Sequence, residues 1–158
     1  MKHAYKAIEH IMGKLELTLN KEKTRIISLW KGKNGFDFLG YHNRMVRHRT
    51  VKGQEYYQLI QWLSNKAKKK IKEKVRNFLA RNTLNNELGD MIKAMNRKIV
   101  GWRNYYGLSR WDKLVQIDKF ILYRFVVWFN NKRQQRKRKD YYKLCVLFRQ
   151  MGLEKLAA

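Results

Sequence analysis

The residues able to do chemistry are overwhelmingly cations. Lys66, Lys68, Lys69, Lys70, Lys72, Lys74 and Arg76 crowd one short stretch with Glu73 nearly alone to balance them, and residues 132–139 read Lys-Arg-Gln-Gln-Arg-Lys-Arg-Lys. Such side chains neutralise phosphates and gain affinity from the counterions they release. The whole chain of 158 residues sets 37 Lys+Arg against 12 Asp+Glu, a formal charge of +25. A surface that basic repels itself unless a polyanion is near, so nucleic acid leads among the partners. Carboxylate chemistry is poorly supplied. Two-metal phosphoryl transfer needs paired carboxylates, whereas no two acids are adjacent here, and Asp37, Glu55, Asp90, Asp112 and Asp118 stand among basic residues as ion pairs or caps. Cys145 is the only cysteine, and His3, His10, His42 and His48 show no zinc-ligand spacing. Neither metal nor cofactor is expected.

The elements that must position these cations follow from periodicity. With 44% hydrophobic and 13% aromatic residues the chain can bury a core. Ala4, Ile8, Ile11, Met12 and Leu15 predict an amphipathic helix over residues 1–15. Leu15, Leu17 and Leu19 alternate as a short strand would. Residues 25–29 and 35–41 predict a hairpin turning at residues 31–35, and residues 43–51 and 55–60 predict a second one around Lys52-Gly53-Gln54. From Ser64, an N-cap residue, the period becomes helical. Ala67, Ile71, Val75, Phe78 and Leu79 stripe the first helix, followed by helices at about 86–106, 112–132 and 140–151, the last ending near Gly152. The start lacks a signal peptide's apolar segment, and no run approaches the roughly 20 apolar residues that span a bilayer. The expectation is an intracellular protein with no membrane partner.

Three local signatures fall in one order: Leu17-Thr18-Leu19-Asn20-Lys21-Glu22-Lys23-Thr24, Phe36-Asp37-Phe38-Leu39-Gly40-Tyr41, and Asn96-Arg97-Lys98-Ile99-Val100-Gly101-Trp102-Arg103-Asn104-Tyr105-Tyr106. Together they resemble the C-terminal half of a group II intron reverse transcriptase/maturase, and the resemblance spans essentially the whole chain. It implies an α+β, mainly α fold: a small antiparallel β remnant of a palm (residues 1–60), a helical thumb region (61–84) and the maturase-specific domain X (85–158). The family often shows Pro-Ser where a thumb helix opens; here only Ser64 of that pair is kept, after Trp62-Leu63.

The same resemblance implies roles for individual residues. Lys23 matches the family's palm lysine, which donates a proton to departing pyrophosphate. Phe38, Leu39, Gly40 and Tyr41 match the primer grip. Lys66, Lys68, Lys69, Lys72 and Arg76 match a thumb helix beside an A-form duplex, which is recognised by backbone and shape. Arg97, Lys98 and Arg103 are candidates for phosphate contact on domain X, and Arg133, Arg136, Lys137, Arg138 and Lys139 for a basic loop, whereas Trp102 and Tyr106 read as core. The family's Asp-Asp palm hairpin lies upstream of the segment matching Met1, so the expectation is a truncated or split protein, inactive as an RNA-directed DNA polymerase by itself. It would bind group II intron RNA to assist splicing, with target DNA and a separately encoded palm and finger portion as further partners, in a bacterial cytoplasm or an organelle. Alternatives are a polymerase subunit, a nonspecific nucleic-acid-binding basic protein, or a decayed remnant.

Overall fold

The computed structural model describes residues 2–20, 22, 24–134 and 140–157, with side chains from Tyr5 onward. Lys23, Arg136, Lys137, Arg138 and Lys139 lie outside the described residues. Its elements run α1 (Lys2–Lys14), β1 (Gly35–Phe38), β2 (Tyr41–Arg49), β3 (Glu55–Leu63), α2 (Asn65–Phe78), α3 (Leu88–Tyr106), α4 (Trp111–Lys132) and α5 (Tyr141–Gln150). The fold is α+β and mainly α, as the periodicities indicated.

The strands form one antiparallel sheet in the order β1-β2-β3. The expected second hairpin is present, with Arg49 opposite Glu55 and Tyr41 opposite Leu63. Its loop is closed by Thr50, whose amide donates to the Gln54 carbonyl (2.8 Å) and whose hydroxyl accepts from the Gln54 amide (3.0 Å). The first hairpin is not where the sequence pointed. Residues 25–29 form no strand, and residues 35–41 are not one strand, because the chain reverses at Leu39 (φ 46°) and Gly40 (φ 81°) and pairs Phe38 with Tyr41. Two successive positive-φ residues give the twist that a two-residue hairpin needs. The glycine-rich stretch at 31–35 does other work. It packs a 3-10 turn, Trp30–Gly32, onto β2, where the Arg44 Nε donates to the Gly32 carbonyl (2.9 Å).

Nor do residues 15–19 form a strand. Their alternation is consumed in stopping α1: the Leu17 amide returns to the Met12 carbonyl and that of Glu16 to Gly13, with Glu16 left-handed at φ 56°.

Every buried hydrophobic side chain among the described residues lies at Leu63 or later. Ile71 and Val75 of α2 and Leu79 just beyond it meet Met91, Ile92, Met95 and Ile99 of α3, Leu114, Ile117, Ile121, Phe125 and Trp128 of α4, and Leu144 and Phe148 of α5, and Ala67 of α2 is buried too. The Ser64 hydroxyl accepts from the Ala67 amide (3.1 Å), capping α2. Gly152 (φ 87°) closes α5, with the Leu153 amide reaching the Phe148 carbonyl at 2.9 Å.

The chain then folds back over the helices, burying Leu153 and Leu156. Four polar side chains hold it there. Asn96 brackets the tail, donating to the Gly152 carbonyl (2.7 Å) and accepting from the Glu154 amide (3.0 Å). Arg149 donates to the carbonyls of Leu153 and Glu154, and Arg103 to Glu154 and to the Lys155 carbonyl. Buried Asp118 accepts from the amides of Leu156 (2.7 Å) and Ala157 (2.9 Å). Removing that carboxylate strands buried amides. Asp118→Ala is therefore expected to lower stability by about 2 kcal/mol, seen as a lower urea midpoint, whereas an unchanged midpoint would show that this carboxylate contributes nothing to the fold.

Candidate nucleic-acid interface

The apolar stripe of α2 faces the helical core, so its lysines are forced onto the remaining surface and divide between two edges. Toward α4 stand Lys68, Lys72 and Arg76. Phe120 of α4 lies between the last two, with the Lys72 Nζ 5.2 Å and the Arg76 guanidinium 5.3 Å from its ring centroid. The quadrupole of an aromatic face attracts cations, so Phe120 holds two like charges on one ring. Lys68 faces Lys113 and Lys72, with Asp112 opposing them. Burial first, and then the two cations, lower its pKa below the ordinary lysine value. Charge is being concentrated here against its own repulsion, and a phosphate would relieve that repulsion.

Other cations rest on rings elsewhere on the helices. The Lys98 Nζ sits 5.4 Å from the Phe78 ring, and the Arg133 guanidinium 5.3 Å from that of Phe129. Arg97 is exposed on α3 and Lys69 on α2. Arg103 is different: its guanidinium is tied to Glu154 and the Lys155 carbonyl, so it holds the tail in place. Lys132 spans the Leu84 and Asn86 carbonyls (3.0 and 2.9 Å), pinning the loop before α3. Sequence reasoning missed Lys113 and Phe120. Phe120 is off the stripe 114–117–121–125–128 that α4 buries, and that misfit was the available signal.

At the other edge, two motifs that are far apart in sequence meet. Tyr105 donates its hydroxyl to the Leu39 carbonyl (2.8 Å), and Tyr41 donates in return to the Tyr105 carbonyl. The Tyr41 ring stacks on Tyr105 (6.1 Å) and tilts against Tyr106 (5.6 Å). Gly40 lies so close to Tyr106 that a Cβ there would stand 2.9 Å from its hydroxyl, and the Gly40 carbonyl accepts from the Ser64 amide (2.9 Å). The turn of the sheet, the end of α3 and the start of α2 are thus one clamp. Trp102 and Tyr106 pack against the core, as expected, but Tyr106 also serves the clamp. Phe38 and Leu39 are exposed.

Among the described residues no group of three or more His, Cys, Asp or Glu side chains is placed to hold a metal, and no helix is long and apolar enough to cross a membrane.

Burial, then the charge of neighbouring tyrosines, raises the pKa of Tyr41 above the ordinary 10.0, and burial with Tyr105 raises that of Tyr106. The clamp's stabilisation is thus complete below pH 10.0 and is lost as pH climbs through the raised values. Tyrosinate absorbance should show Tyr41 and Tyr106 ionising later than free tyrosine, and Tyr41→Phe should remove one late step. A titration that is complete at the free value would contradict this packing.

Compared with known proteins, residues 68–146 match the family described as group II intron, maturase-specific domain, from inside α2 to inside α5. No curated protein matches the chain.

Proposed function

Since the chain belongs to the group II intron maturase-specific domain family, we propose that it binds folded group II intron RNA through the cationic ridge of α2 and α4 and so assists splicing. The observation that carries this reading is Phe120, which gathers Lys72 and Arg76 beside Lys68 and Lys113. Cations held at fixed places along a helix suit a regular row of phosphates, the part of an A-form duplex open to recognition by shape. The protein would hold RNA helices against their mutual repulsion while the RNA performs its own bond exchange. On this reading residues 1–60 correspond to a palm edge, with Lys23 as its lysine and Phe38, Leu39, Gly40 and Tyr41 as a primer-grip-like turn. Residues 61–84 correspond to a thumb and 85–158 to domain X. Lys66, Lys69, Arg97, Arg133, Arg136, Lys137, Arg138 and Lys139 would extend the phosphate surface.

A second reading is that the sheet completes a separately encoded palm. An open apolar cavity of about 220 Å³ between Leu29, Trp30, Met45 and Tyr57 favours it. Primer extension appearing only when such a palm is mixed with this chain would support that reading, and none in the mixture would end it.

The RNA reading is tested by competition binding at cell-like salt. Intron RNA is expected to outcompete an equal length of unrelated duplex, and Lys72→Glu with Arg76→Glu to weaken binding at least tenfold while lowering the salt slope by about two. Equal competition, or an unaffected double variant, would refute it.

A further inference from the structure

We propose that the groove between the β1–β2 turn and the opening of α2 receives one unpaired ribonucleotide, its base stacked on Tyr105 and its phosphate held by Lys66 and Lys70. This rests on the RNA-binding reading above but uses the edge of α2 away from Phe120.

The groove has a volume of about 450 Å³, with Asp37, Gly40, Lys66, Lys70, Tyr105 and Tyr106 among its walls. That is the size range of small-molecule sites, and its walls combine aromatic, cationic and acidic side chains. Lys66 and Lys70, one helical turn apart, share one wall and form no ion pair among the described residues. Two unpaired ammonium groups in one concave wall select a phosphate.

Tyr105 provides the platform. Its hydroxyl is tied to the Leu39 carbonyl and its ring is braced by Tyr41 and Tyr106, yet the residue remains 52% exposed. A ring already fixed loses little freedom when a base stacks on it, and stacking of this kind tolerates any base.

Asp37 sets the polarity of the site. Its Oδ1 lies 2.6 Å from the His42 Nδ1, leaving the other carboxylate oxygen as an acceptor that repels phosphate and accepts from a hydroxyl. Phosphate is therefore drawn to Lys66 and Lys70 and the sugar is left to Asp37, to which a ribose 2′-hydroxyl can donate and a deoxyribose cannot. A paired base is shut out, since both of its faces are already stacked within its own helix, so the groove suits a bulged or terminal nucleotide.

The test uses the full chain and fluorescence anisotropy in cell-like salt with four probes: a fully paired RNA hairpin, that hairpin with three unpaired adenosines added, the same extension as deoxyadenosines, and a single-stranded oligoadenylate. The ribose extension is expected to tighten binding about tenfold over the paired hairpin, and the deoxyribose extension distinctly less. Tyr105→Ala, and separately Lys66→Gln with Lys70→Gln, should bring the ratio of extended to paired affinity to about one, whereas Tyr105→Phe, whose ring is still braced by Tyr41 and Tyr106, should retain most of the gain. An extension that adds nothing, equal gains from ribose and deoxyribose, a gain that survives Tyr105→Ala, or its loss in Tyr105→Phe overturns the proposal. If the hairpin fails to bind while oligoadenylate binds in a Tyr105-dependent way, the ridge reading fails and the groove stands.

Discussion

Mutual repulsion among cations is the constraint around which this molecule is arranged. A chain of formal charge +25 folds only if its apolar surface is gathered tightly enough to outweigh that repulsion. Here the gathering is done by four helices whose stripes interlock from Leu63 to Leu156. Once those stripes face inward, the lysines of α2 have nowhere to go but the two flanks beside α4 and beside the hairpin. Aromatic rings then do what carboxylates do in less basic proteins: Phe120, Phe78 and Phe129 each receive cationic side chains. Two of the few acids hold the tail, Asp118 beneath it and Glu154 on Arg103.

How much of this was legible in the residues follows from the range of the forces involved. Helices with a strong stripe were readable to within a residue or two, because one turn of helix reports its own burial, and so were the Ser64 cap and the Gly152 stop. The second hairpin was readable because its loop chemistry is local. The first hairpin was not. Leu39 adopts a positive φ that leucine disfavours, and what holds it is a hydroxyl from Tyr105, 66 positions away. Likewise Leu15 to Leu19 alternate like a strand but serve as the stop of α1, a role set by where the Leu17 amide finds an acceptor.

The candidate surface divides the same way. That α2 is cationic was plain from its composition, whereas the partition of its lysines into a ridge and a groove depends on which neighbour lies on each side. Arg103 shows the cost of reading charge alone: it stands in a basic motif on α3, yet its partners are the carboxylate of Glu154 and the carbonyl of Lys155. Only the return of the tail over the helices, a contact between residues 52 positions apart, reveals that.

The clamp at Gly40 also governs geometry well beyond its own contacts. Three hydrogen bonds and a ring stack fasten one end of the sheet to the helices, while β2 and β3 run away from it for nine residues each, about 30 Å. The sheet is therefore a cantilever with its fulcrum at the tyrosines. A tilt of about ten degrees there carries the Thr50–Gln54 loop through about 5 Å, so a few hydroxyl groups set the reach of the far end.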